Sequence, residues 1–449
     1  MVNFFKLKFN KNSSVFKFYS HVLNYGLGSV LPQVIGFFLI PLYIRYLTPA
    51  DYGILEMAGS ISSFCIGLMH LKIPGALTRY YYDYHKNPDQ LADYITTVRR
   101  LVNMVSVISS FLILSVLFFI QGYVFKGLDY WPFTVLAVLT AALSANSQLQ
   151  QRLLQNKEQS KYSALLRTAF SLISIILAIL FVAVFKWGPA GMLFSSFIVT
   201  LAFYFQAEFY LKKYLTGTYQ PKMAKQSLSY GLALAPSYVV GDAAILFNKS
   251  LLLEFGALEA VGIYSMASRF FMPLDLLAEA TNTAFVPLYN KLRKENETLK
   301  IVNNVRKTLL INILLFGFFL LGMPLIMKLM LTEEYLGAIM LFPIIGLSFI
   351  GKTIYHICIA EVFYSIRTKF MSIIVAGNIM VNTGLCVLLA GDYKALGVCI
   401  AYASGSLAMG AMAFVYKSNI SNFYSFKSEL SLYFVAAFAI SALSYLIYN

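Results

Sequence analysis

The sequence predicts an all-α polytopic membrane protein: two parallel six-helix bundles around a central cavity, plus a C-terminal helix. Three observations lead there. Of 449 residues, 59% are hydrophobic and only 12% charged, against roughly 25% charged in soluble domains. Largely apolar runs long enough to cross a hydrocarbon core of about 30 Å recur along the whole chain. Finally, two short phrases of the first half return, in order, in the second.

Helical spans are expected near 22–45, 52–73, 92–120, 128–152, 162–185, 188–211, 228–255, 257–290, 307–331, 336–364, 369–391, 394–416 and 429–447. The net charge of +15 is unevenly shared among the segments between them. Alternate segments, counted from the N-terminus, hold 26 Lys and Arg. The opposite side holds five: Arg45, Lys126, Lys186, Lys328 and Lys394. By the positive-inside rule the N-terminus is cytoplasmic and, with thirteen spans, the C-terminus is outside. The basic excess is thus a topology signal, and no nucleic acid is implied.

The leader FFKLKFNKNSSVFKF (4–18) has the charge of a signal peptide, but its apolar successor is too long and no small-residue cleavage site follows. It is expected to stay attached, either as an interfacial amphipathic helix or as a solvated basic segment. Cys65, Cys358, Cys386 and Cys399 all fall in apolar spans without metal-type spacing and read as small core hydrophobes.

The repeat organises the rest. YGLGSVLP (25–32) at the first span corresponds to YGLALAP (230–236) at the seventh, matching Pro32 with Pro236. GILEMAGS (53–60) at the second corresponds to GIYSMASR (262–269) at the eighth, where only the second copy carries an arginine. Six spans lie between the copies, so both halves enter the membrane from the same side and the repeat is parallel. Expected boundaries are a basic leader at 1–21, lobes at 22–213 and 228–416 joined by a polar linker at 214–227, and a further helix within 417–449. The lobes are expected to open as a V around a midplane substrate site.

The order G-F-F-L-I-P-L-Y-I-R-Y-L-T-P-A-D-Y-G (36–53), then L-T-R-Y-Y-Y-D-Y (77–84), resembles the bacterial polysaccharide (O-antigen, Wzx-type) flippases. These belong to the multidrug/oligosaccharidyl-lipid/polysaccharide exporter superfamily. G-A-L-E-A-V-G-I-Y-S-M-A-S-R-F (256–270) is similar to that family's second half. Where members often carry an Asp-Arg or Asp-Lys pair late in the seventh span, this chain has Asn248-Lys249. The resemblance implies a non-enzymatic flippase of the bacterial inner membrane, moving a polyprenyl-diphosphate-linked oligosaccharide by alternating access. It implies no cofactor, membrane lipids as surroundings, and other polysaccharide-assembly proteins as partners. It also implies a transport role for an arginine in an A-x-R-x-x-x-x-P context, nearly held here by Ala267, Arg269 and Pro273.

Charges inside the spans each need a reason, because one at the bilayer centre costs roughly 2.5–3.5 kcal/mol. Asp242 and Arg269 lie about 20 Å before and after the turn expected near Gly256, at matching depth. They read either as an ion pair between adjacent helices or with Arg269 facing the cavity. There its planar fork of donors suits a phosphate. Lys352, with His356 one turn further, reads as a second cation lining the cavity or as a partner of Asp275. Asp275 and Glu279 share a face and read as a Na⁺ or proton site, or as partners of basic groups at the cytoplasmic mouth. Lys249 is expected to snorkel to the outer surface. Asn24, Gln33, Ser60, Ser62, Ser63, Asn378 and Asn382 are candidates for sugar contacts or for helix packing. Pro32, Pro236, Pro273 and Pro287 are expected to kink their helices, as gates or as static bends.

Two other classes fit the sequence less well. A glycan polymerase or glycosyltransferase needs a long outer loop with paired acids or arginines, whereas the longest here, near QGYVFKGLDY (121–130), has one acid. A cation-coupled multidrug exporter favours cavity acids and aromatics, whereas this chain offers Arg269 and Lys352.

Overall fold

The computed structural model describes residues 30–365, 369–420 and 426–448. The leader, the YGL phrase and Asn24 lie outside the described residues. Among those described there are helices and turns and no strand.

Ten helices are long and apolar enough to cross a membrane. They are fewer than the thirteen expected spans for two reasons. The first expected span is described only from residue 30, as helix over 30–38 and Ile40–Tyr43. Two of the ten helices also hide reversals. Pro221–Lys294 breaks at Ala257 (φ 58°, ψ −179°), and Lys369–Ile420 breaks at Lys394 (φ 47°, ψ −125°). Lys249 and Arg269 both reach Glu56, although twenty residues of unbroken helix would hold them about 30 Å apart. A Cβ on Gly397 would likewise overlap the carbonyl of Leu389, which only a chain that doubles back allows.

Local chemistry sets the element ends. Thr48 caps Pro49–His70: its amide and hydroxyl donate to Asp51 Oδ2 at 2.9 and 2.8 Å, and the Asp51 amide donates back to Thr48 Oγ1 at 3.2 Å. With Pro49 at the first helical position, T-P-A-D is a reciprocal capping box. Lys72, in the left-handed conformation (φ 54°), separates this helix from Ile73–Tyr84.

The chain divides into two compact units. The first comprises Met1–Tyr46, Ala58–Gly122 and Leu128–Ala243; the second, Leu47–Met57, Tyr123–Gly127 and Ala244–Asn449. In the first, a core built on Ile73, Leu77, Tyr94, Val98, Leu149 and Leu211 joins the basic-side helix ends. The segment after Lys212 is tied there too, because Asp93 accepts from the Thr218 amide at 2.6 Å and from Gln220 Nε2 at 3.2 Å.

In the second unit, helix Lys427–Tyr448 runs alongside Thr298–Met330. Glu429 meets Arg306, and the Ser444 and Tyr448 hydroxyls donate to the carbonyls of Leu320 and Leu321 at 2.7 and 2.6 Å. Numbers rise together along both helices, so the two run in the same direction.

Candidate functional site

The two copies of the GI-x-x-MA phrase (53–60 and 262–269) meet in the second unit, and their contact is reciprocal. A Cβ on Gly53 would overlap the carbonyl of Leu258, and one on Gly262 would overlap the carbonyl of Pro49. Both pairs are related by the 209-residue offset of the repeat, so each copy offers its glycine to the backbone four residues before the other's glycine. This is the pattern of a two-fold contact. Glycine is what lets two helix backbones approach so closely.

One turn beyond Gly53, Glu56 points to a pair of cations. Its Oε2 accepts from Lys249 Nζ at 2.8 Å. Its Oε1 accepts from Arg269 Nη2 at 2.8 Å and Nε at 3.1 Å. The Arg269 guanidinium also lies 5.3 Å from the centre of the Tyr52 ring. Tyr52 in turn meets Tyr335 edge-on, and the Tyr335 hydroxyl donates to the Leu47 carbonyl at 2.9 Å. The Glu56 and Lys249 side chains are 16% and 13% accessible, but Arg269 is 52% accessible. One carboxylate therefore balances two cations and leaves a net positive charge at the accessible arginine.

This geometry corrects two expectations. Arg269 pairs with Glu56, not with Asp242; Asp242 packs against Gly67 in the first unit, where Lys72 is its charged neighbour. Matching depth along a hairpin fixes height but not the direction a side chain faces, and the Asp242–Lys249 face lies along Pro49–His70. Lys249 accordingly does not snorkel; it is half of the Glu56 cluster. Glu56 itself was legible, because it occupies the position that Ser265 holds in the second copy.

A second cluster lies deeper in the same unit. Lys352 Nζ donates to Asp275 Oδ1 at 2.6 Å and to the Tyr402 hydroxyl at 2.8 Å, with the Phe271 ring 5.7 Å away. Of the two readings of Lys352, the pair with Asp275 is the one formed. His356, one turn on, lines a small void with Asn282, Asn312 and Thr353. Glu279 is exposed, as is Gln33 in the first unit. Asn378 packs within the hairpin broken at Lys394: its Nδ2 lies 3.7 Å from Met409 Sδ, and a Cβ on Gly405 would stand 2.7 Å from its Oδ1. That is a packing contact.

A third cluster escaped sequence reading. Glu361 accepts from the Tyr289 hydroxyl at 2.5 Å and from Arg293 Nε at 3.2 Å. Lys417, fully buried, adds its charge nearby. These residues sit at helix ends, where the hydropathy pattern treats charge as solvated.

The sequence profile of a family described as "Polysaccharide biosynthesis protein" matches residues 20–293. The chain belongs to that family. As a member, it shares its fold with several solved transporters. It matches lipid II flippase MurJ in an inward closed conformation, with a TM-score of 0.70 at 15% identity over 94% of this chain and 97% of that one. An inward-facing MATE-family multidrug resistance transporter matches at 0.59 and 14% identity, over 91% and 94%. A MOP-superfamily transporter from Pyrococcus furiosus matches at 0.53 and 15% identity, over 91% and 96%. At these identities the likeness is one of fold. A search of proteins with curated functions returns no match.

Proposed function

We propose that this family member is a flippase, moving a polyprenyl-diphosphate-linked oligosaccharide across the bacterial cytoplasmic membrane for polysaccharide biosynthesis. Membership of a polysaccharide biosynthesis family in a chain with the fold of a lipid II flippase carries this reading. The multidrug-exporter alternative fits less well, since the MATE structure superposes at 0.59 against 0.70. Work of this kind is done by transport and not by bond-making. The reading includes lobes at 22–213 and 228–416 working by alternating access, with a cytoplasmic N-terminus.

In this reading Arg269 anchors the diphosphate. Glu56 engages two of its five N–H donors through one oxygen, which fixes the guanidinium plane while other donors remain for a ligand oxygen. Planar geometry matters here, because an arginine can grip two phosphate oxygens at once where a lysine offers a point charge. Lys352, neutralised by Asp275, serves as helper only if that pair opens.

The test is export of surface polysaccharide in a strain lacking its own flippase, with membrane protein level followed by blot. Wild type is expected to restore export, Arg269→Ala to abolish it at normal level, and Arg269→Lys to restore it in part. Full export by Arg269→Ala would reduce Arg269 to a structural partner of Glu56. No export by wild type from any donor glycan locus would overturn the flippase reading itself.

A further inference from the structure

Helix Lys427–Tyr448 stands outside the internal repeat, and its first turns leave an open groove on each side. One groove, about 650 Å³, is lined by Leu309, Leu310 and Ile313 opposite Leu432, Tyr433 and Ala436, with Arg306 at its basic end. The other, about 570 Å³, is lined by Leu407, Ala411 and Phe414 opposite Phe434 and Val435, with Lys427 at the same end. Each is an apolar slot that finishes at a cation. The grooved stretch of helix, from Lys427 to Ala436, covers about 14 Å. That is half of a hydrocarbon core of about 30 Å, the depth of one leaflet.

Arg306 is built into this site. Glu429, 6% accessible, accepts from its Nη2 at 2.9 Å and Nε at 3.2 Å, and Ser428 donates to the other carboxylate oxygen at 2.8 Å. The guanidinium is thereby oriented, yet 61% of the Arg306 side chain stays accessible. At this end Arg306, Lys307 and Lys427 outnumber Glu429, so the field favours an anion.

We infer that the two grooves seat anionic phospholipids of the leaflet on the basic side, one against each flank of the last helix. An acyl chain fills each slot while the headgroup phosphate meets Arg306 or Lys427. A chain long enough to cross the bilayer would outrun a groove of this length. A zwitterionic headgroup would gain less from the surplus of cations. The bound lipids fill the space between the last helix and Thr298–Met330 on one flank and Lys369–Ile420 on the other.

The experiment uses the full chain, purified, stripped of lipid in detergent, and read by native mass spectrometry and thermal unfolding. Wild type is expected to retain up to two phosphatidylglycerols in preference to phosphatidylcholine, with a raised unfolding temperature. Losing one charge-assisted contact should weaken phosphatidylglycerol binding roughly tenfold in Arg306→Gln and remove the headgroup preference at that groove. Lys427→Gln, at an exposed residue, gives the same readout at the other groove even if Arg306→Gln does not fold. Filling the slots with Ala436→Trp and Ala411→Trp should abolish retention of both lipids. Equal retention of the two lipids by wild type would overturn the proposal, as would unchanged retention after the slots are filled. Full competition by inorganic phosphate would show a headgroup site without an acyl seat, and would overturn it too.

Discussion

Removing the Glu56 carboxylate would leave Lys249 and Arg269, both now within 3.1 Å of it, without a counter-charge. Breaking a buried ion pair from one side costs about 3–5 kcal/mol, because the remaining charge is stranded. Glu56→Gln is therefore expected to lower the unfolding temperature in detergent more than Arg269→Ala, whose side chain is half accessible. Adding Lys249→Met to Glu56→Gln should recover much of that loss, the non-additivity being the sign of a direct contact. Simple additivity of the two changes would mean Lys249 finds water instead of Glu56. The sequence marks Lys249 and Arg269 as charges that need a reason, but sends Lys249 to the outer surface and Arg269 to Asp242 or the cavity, and leaves Glu56 out. A count of basic residues by segment is blind to carboxylates, and a helix-hairpin argument fixes depth without fixing facing.

At the scale of elements, the second and eighth spans touch where the repeat had already shown likeness. Gly53 and Gly262 are each pressed on the other copy's backbone, so a methyl at either forces the same separation. Gly53→Ala and Gly262→Ala are each expected to cost about 1–3 kcal/mol by overpacking, and by similar amounts because the contacts mirror one another. Unfolding temperatures that differ widely between the two would show that the reciprocity is superficial. The cap at Thr48 is a separate term: Asp51→Ala should cost about 1 kcal/mol by undoing a capping box. The turn expected near Gly256 falls at Ala257, and T-P-A-D reads as a helix start from sequence alone. Local signals of this sort survive because they depend on a few neighbouring residues. The pairing of Lys352 with Asp275 depends on which faces of two distant helices meet, and spacing left it as one of two alternatives.

For the whole molecule, direction along the membrane is the quantity that sequence and structure test independently. With the reversals at Ala257 and Lys394, and the first expected span counted as a crossing, Thr298–Met330 is the ninth crossing and Lys427–Tyr448 the thirteenth. Both numbers are odd, so the two helices must run the same way. They do, as the rising contacts Arg306–Glu429, Leu320–Ser444 and Leu321–Tyr448 require. One missed or extra crossing between them would have made them antiparallel. The contacts fix the parity of the crossings between these two helices; if the first expected span also crosses, the two ends of the chain are expected on opposite faces, and the 26-to-5 division of Lys and Arg is expected to set which face is which. A reporter fused after Tyr448 is expected to be active only outside the cytoplasm, and one inserted after Asn296, at the turn before the ninth crossing, only inside. If both reporters are active on one side, a crossing has been miscounted between them. If both are active on the wrong sides, the count stands and the charge rule fails for this chain.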